Sequence, residues 1–301
     1  MSAGTKQEPP GTARTGERMP ERATEPATAP TIAPTRRMHV AALQMVSTPD
    51  VGENLAAAAT LLREARARGA ELALLPEYFC ILGNRDRDKI GVAEDDGAGP
   101  IQDFLSAQAR ELGLWVIGGT LPLRTADSDH VTNTLLVFDP HGERVVRYDK
   151  IHLFRFERGE ERYDESRTLL PGSTPRTFEA PCGRIGLSIC YDLRFPELYR
   201  ALGDCALIVV PSAFTATTGE AHWEVLLRAR AIENQCYVLA AAQGGLHPNG
   251  RRTHGDSVLI DPWGRIVERL ETGPGVVSGL VDPDVIHNVR AGLPALSHRR
   301  L

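Results

Sequence analysis

The chain has 301 residues, 42% hydrophobic and 24% charged, with a formal net charge of -5, the profile of a water-soluble globular protein. Its acidic balance and scattered Lys and Arg argue against a nucleic-acid surface, and no apolar run approaches the ~18 residues that a membrane span needs. Five cysteines without CxxC spacing argue against a disulfide scaffold or zinc ribbon and for a reducing, cytoplasmic setting.

Residues 1–37 differ from the rest of the chain. Six prolines, seven threonines and few large apolar side chains cannot offset the entropy of ordering the segment. A secretory signal would need an apolar stretch, and a transit peptide would lack Glu8, Glu17, Glu21 and Glu25. The expectation is a disordered tail over 1–37 and one folded domain over 38–301.

From Met38 onward, short apolar runs alternate with amphipathic ones. Strands are expected at 39–45, 71–77, 114–120, 133–139, 184–190, 206–212, 236–243, 256–261 and 276–282. Their continuous apolar character fits strands covered on both faces. Helices are expected at 53–68, 100–112, 196–203 and 221–234, the second and third with Pro near the first turn. Alternation of this kind implies α/β layers.

The order repeats about 120–135 residues apart, as internal duplication would require. "LALLPE" answers to "LIVVPS", "LWVIGGT" to "CYVLAAA", and "TLLVFDPHGERVVRYDK" to "SVLIDPWGRIVERLE". Both of the last pair carry a D-P-x-G turn. Two similar sheet halves packed face to face, with helices outside, would bury both sets of strands.

Functional groups in open α/β sheets gather beyond strand carboxyl ends. "LALLPEYF" brings Glu77 there, "RVVRYDKIHLF" brings Lys150 and "RIGLSIC" brings Cys190. Taken singly, each has a bland reading as a solvated carboxylate, a solvated lysine and a small buried thiol. Together they are complementary. A thiol needs a base or a cation to act as a nucleophile; Glu77 offers the base, and Lys150 the positive charge for a thiolate or an oxyanion. No histidine carries a Cys-His signature, although His152 lies two residues beyond Lys150.

The segments "LALLPEYF", "YDKIHLF" and "SICYDLRFPEL" resemble the three signature segments of the nitrilase superfamily of carbon–nitrogen hydrolases. The resemblance runs from Met38 to Arg300. It implies a four-layer α-β-β-α sandwich, a homodimer or larger homo-oligomer, and no metal or organic cofactor. It also implies Cys190 as nucleophile, Glu77 as general base, Lys150 as oxyanion stabiliser and, in "YDESRTLLPG", Glu165 as a second glutamate. The N–H of Tyr191 is then expected to face the oxyanion.

The text after the cysteine, "CYDLRFPELYR", and the downstream "SAFT" and "AHWEVLLRARAIENQCYVLAAAQ" look like the Nit-type amidase branch. That branch implies hydrolysis of a small amide bearing carboxylates, with deaminated glutathione first, 2-oxoglutaramate second and a carbamoyl amino acid third. A silent binding protein on the same fold, or a redox sensor using Cys190, are readings from other classes. Arg194 has two readings, a clamp on a substrate carboxylate or an ion pair with Asp192 or Glu197. Phe214 and Thr215, in "FTATTG", either line the acyl pocket or form a capped turn into the next helix. Trp223, Leu226, Leu227 and Ile232 are expected in the core or at a dimer contact.

Overall fold

The computed structural model describes residues 1–5, 35–159 and 161–300. Residues 6–34 of the expected tail lie outside the described residues. Arg36 and Arg37, placed in the tail by the sequence, instead lie against the folded body. The Arg36 N–H donates to Pro181 O (2.8 Å) and its guanidinium pairs with Glu71 (2.5 Å), while Arg37 pairs with Asp282 (2.8 Å). Arginines that meet acids on the body are held there, whatever the composition upstream.

In chain order, the first half runs β1 (Met38–Gln44), α1 (Val51–Ala67), β2 (Leu72–Leu74), α2 (Asp88–Gly91), α3 (Pro100–Leu112), β3 (Trp115–Ile117), β4 (Leu121–Arg124), β5 (Val131–Phe138) and β6 (Arg144–Asp149). A hairpin of β7 (Arg155–Arg158) and β8 (Glu161–Asp164) comes next. The second half runs β9 (Thr177–Ala180), β10 (Gly183–Leu187), α4 (Pro196–Ala201), β11 (Leu207–Ser212), α5 (Ala216–Asn234), β12 (Tyr237–Ala242), β13 (Ser257–Ile260), β14 (Ile266–Leu270), β15 (Gly275–Val281) and α6 (Pro283–Gly292).

Among the described residues these strands form two large sheets. One has the order β15-β1-β2-β3-β5-β4 with β6 on β5, and the other is β14-β13-β12-β11-β10-β9. The halves do not separate cleanly. β15, from the C-terminal half, pairs antiparallel with β1 along its whole length, Met38 opposite Val281 to Gln44 opposite Gly275. Short strands β4, β7, β8 and β9, and helix α6, had no distinct apolar signal.

Alternation along each strand explains the layers. Val40 and Ala42 of β1, with Leu72, Leu74 and Ile117, pack against Ile185, Leu187 and Leu207 of the other sheet. Ala41, Leu43, Ala73 and Val116 face the opposite way, onto Ala58 and Leu62 of α1 and Leu105 of α3. Trp223 and Leu227 of α5 cover the second sheet from outside. The result is the four-layer α-β-β-α sandwich. Both D-P-x-G turns form as expected, with Gly142 and Gly264 at φ +82° and +81° donating to Asp139 O and Asp261 O at 2.9 Å.

Candidate active site

Each of the three motif residues lies just past a strand. β1, β2 and β3 run parallel, as do β10, β11 and β12, so the carboxyl ends of both sheets present loops to one region. Glu77 is three residues beyond β2, in a turn that Pro76 stops. Gly119 permits that turn to close, because at its φ of +45° an added Cβ would lie 2.1 Å from Pro76 O. The adjoining Tyr78 N–H then donates to Thr120 Oγ1 (2.8 Å), and Gln243 Nε2 donates to Glu77 O (3.1 Å).

Lys150 directly follows β6, its N–H donating to Asn133 O (3.0 Å). Cys190 does not end the strand, as the sequence suggested. β10 stops at Leu187, and Cys190 opens a single 3-10 turn with φ +49°. Nor does the turn expose the thiol: Cys190 is 7% exposed, Glu77 1% and Lys150 0%.

The ammonium of Lys150 donates to Glu77 Oε1 (2.9 Å) and to both oxygens of Glu165 (2.9 and 2.8 Å). Glu77 is held from three directions, since Asn133 Nδ2 donates to Oε1 (2.9 Å) and the Ala213 N–H, just after β11, donates to Oε2 (2.8 Å). Glu165 also accepts from the Tyr78 hydroxyl (2.8 Å) and the Phe154 N–H (2.7 Å). The Cys190 thiol lies in the electrostatic field of Glu77, Lys150 and Glu165. Four groups from four loops therefore meet in one buried cluster. In such a cluster a thiol proton can pass to a carboxylate while an ammonium faces the charge that develops.

Comparison with known proteins points the same way. The carbon-nitrogen hydrolase family profile matches residues 39–291. This chain belongs to the carbon-nitrogen hydrolase family. It is 42% identical over 265 residues to a deaminated glutathione amidase of Synechocystis, covering 86% of this chain and 97% of that one. It is 41% identical over 268 residues to the human deaminated glutathione amidase, covering 87% and 82%. The crystal structure of Saccharomyces cerevisiae Nit3, a member of branch 10 of the nitrilase superfamily, superposes with a TM-score of 0.78 at 31% identity, covering 88% of this chain and 97% of that one.

Electrostatics in this hydrolase favour a neutral thiol beside a charged ion cluster. Burial pushes the Cys190 thiol well above its ordinary range, the Glu77 charge adds to this, and Lys150 opposes it without prevailing. Burial disfavours the Lys150 cation, yet the charges of Glu165 and Glu77 hold it above its usual value. Burial likewise acts to raise Glu165, but the Lys150 charge and hydrogen bonds bring its carboxyl below the ordinary range.

The nucleophile turn has a clamp that the sequence did not reveal. Buried Asp192 accepts from the Ile189 N–H (2.9 Å) and Tyr148 hydroxyl (2.7 Å) through Oδ2, and from the His152 N–H (3.0 Å) through Oδ1. His152 Nδ1 lies 2.7 Å from Oδ1, and its ring stacks on Phe195 at 3.7 Å. Its place near Lys150 thus serves the turn that carries Cys190.

A small cleft with about 210 Å³ of empty space opens at Cys190, lined by Tyr191, Arg194, Phe154, Phe214, Thr215 and Thr218. Arg194 has no carboxylate within 4 Å among the described residues; its Nη1 lies 3.1 Å from His222 Nδ1 and its guanidinium 5.4 Å from the Phe214 ring. Neither expected ion pair forms: Asp192 is committed to the clamp, and Glu197 is not within 4 Å of the guanidinium. Both readings of Thr215 hold at once: it lines the cleft and caps α5, accepting from the Thr218 N–H (3.3 Å). Trp223 and Leu227 are buried and Leu226 partly so, whereas Ile232 is exposed. Asn133 had no motif to announce it; Tyr78 and Asp192 lie inside the segments quoted for Glu77 and Cys190, but their roles at the site were not read from them.

Proposed function

We propose that this carbon–nitrogen hydrolase is a cysteine-dependent amidase that cleaves deaminated glutathione to 2-oxoglutarate and cysteinylglycine. The observation that carries the reading is the Lys150 ammonium bridging Glu77 and Glu165 beside the Cys190 thiol. Glu77 takes the thiol proton as Cys190 Sγ attacks the amide carbon, and Lys150 with the Tyr191 N–H receives the oxyanion. Donors preorganised at such an oxyanion contribute about 3–4 kcal/mol each. Glu77 then protonates the departing amine, the C–N bond breaks, and a thioester remains on Cys190. Water, activated by Glu77 or Glu165, attacks the thioester carbon and releases the acid with the free thiol. Splitting one hard hydrolysis into two steps is the benefit of a sulfur nucleophile.

Substrate choice is supported by the named relatives and by Arg194, a guanidinium in the Cys190 cleft that has no carboxylate partner among the described residues and is suited to one. Cytoplasmic location is a companion expectation supported by five unpaired, buried cysteines; among the described residues no helix is long and apolar enough to cross a membrane. A homodimer or larger homo-oligomer belongs to the same reading, tested by sedimentation.

The decisive experiment compares turnover of deaminated glutathione, 2-oxoglutaramate and a carbamoyl amino acid, with mass spectrometry of the acyl-enzyme. Deaminated glutathione is expected to react fastest and to leave its 2-oxoglutaryl group on Cys190. If it is the slowest of the three, the substrate assignment fails. Unaltered hydrolysis by Cys190→Ala removes the nucleophile.

A further inference from the structure

Phe154 lines two cavities, and the second does not contain Cys190. It holds about 570 Å³ of empty space between the segment from Tyr78 to Lys89, the β8 end and Arg251. Glu165 lines its wall, so it adjoins the catalytic cluster.

Two cations on this wall are uncommitted. Lys89 and Arg251 are half-buried, and neither has a carboxylate within 4 Å among the described residues. Lys89 donates to Thr168 Oγ1 (3.3 Å) and stands 5.3 Å from the Tyr78 ring centre. The Arg251 guanidinium stands 5.2 Å from the Tyr163 ring; its Nη2 reaches Ala213 O at a long 3.5 Å, and its buried Nε has no hydrogen-bond partner. Several other shielded arginines are paired with acids. Arg147 pairs with Asp96 and Asp149, Arg230 with Glu233, and Arg269 with Asp256 and Glu224. Asp86, Asp164 and Arg85 also line the cavity, but Asp164 is engaged by the Ser166 hydroxyl and N–H, and the Glu165 charge is met by Lys150. Burial disfavours the Lys89 cation and the Arg251 charge adds to this; Glu165 and Asp86 favour it without prevailing, and a bound anion would act in their direction.

We infer that Lys89 and Arg251 bind the carboxylate of the leaving group, so that the substrate class is an amide with an acid at both ends. The inference rests on the amidase reading above and deepens it. Arg194 lies on the Cys190 side of Phe154, where it serves the acyl end; Lys89 and Arg251 lie on the Glu165 side, where the amine departs. A guanidinium held over the Tyr163 face, with a lysine lining the same cavity, supplies the donors that a planar carboxylate takes. Departure of that group opens space next to Glu165, through which water can reach the thioester. A primary amide, releasing only ammonia, makes no use of this cavity.

The test compares Lys89→Met, Arg251→Met and Arg251→Lys on deaminated glutathione and on 2-oxoglutaramate, whose leaving group is ammonia. Each Met variant is expected to lower the ratio of kcat/KM for deaminated glutathione over 2-oxoglutaramate by about tenfold or more, mainly through KM, the scale of a lost charge-assisted hydrogen bond. Arg251→Lys is expected to retain part of it. An unchanged ratio overturns the inference, and measurable 2-oxoglutaramate turnover shows that the variant is folded. Calorimetry supplies a readout independent of turnover: cysteinylglycine is expected to bind at least about tenfold more tightly than its C-terminal amide, and Arg251→Met to erase the difference. Amide turnover without that preference sinks the subsite alone. The preference without turnover of either amide sinks the amidase reading and leaves the subsite standing.

Discussion

Oε2 of Glu77, carried by the first sheet, accepts from the backbone N–H of Ala213, carried by the second, at 2.8 Å. One hydrogen bond thus fixes the candidate base against the segment that lines the Cys190 cleft. Lys150 completes the arrangement on the other oxygen of the same carboxylate.

Removing the ammonium leaves two buried carboxylates uncompensated. Lys150→Met is expected to lower kcat by about 10²–10³-fold and to destabilise the protein by about 3–5 kcal/mol. Steady-state kinetics and urea unfolding of the same preparation check both. Near-native stability would show that the ion cluster is less tightly coupled than its distances imply.

Acid dependence arises from Glu165. Its folded-state pKa lies below the ordinary 4.5, so its contribution is present above pH 4.5 and is lost as pH falls through the folded value. Glu165→Gln is therefore expected to be less stable than the parent at pH 7, with the gap closing below pH 4.5. Lys150 gives the opposite limb: its folded pKa is raised above the ordinary 10.5, so stability is lost as pH rises beyond that range. Unfolding free energies measured across the pH range test both signs.

Thiol reactivity and catalysis are expected to separate in Glu77→Gln. After burial, the Glu77 charge is the largest influence raising the Cys190 pKa, so neutralising that side chain favours thiolate. Alkylation of Cys190 by iodoacetamide at pH 8 is expected to quicken while amide turnover collapses for want of a base. Slower alkylation would mean that Glu77 promotes the thiolate even without substrate.

Asp192→Asn places an amide where four donors from Ile189, Tyr148 and His152 converge. Hydrogen bonds to a charged acceptor contribute about 1.5–3 kcal/mol each, and the amide cannot replace them all. Lower stability is expected, along with a fall in kcat larger than any change in KM, as the nucleophile turn relaxes. A change confined to KM would place Asp192 in substrate binding.

Local sequence was enough to specify the layers, the duplicated strands and three of the site residues. Apolar alternation dictates which faces must be buried, and Glu77, Lys150 and Cys190 occupy short motifs beyond strands. Other features exist only once the chain has folded. The alternation along β15 says that its faces are buried but not which strand it joins, and it joins β1. The left-handed turn at Cys190 forms because Asp192 gathers donors from segments up to 44 residues away. Asp192 is taken up by donors from other segments and leaves Arg194 to the cleft, and Lys89 and Arg251, more than 160 residues apart in sequence, share a cavity only after both loops have packed. Such pairings depend on which distant loops meet, and no local spacing encodes that.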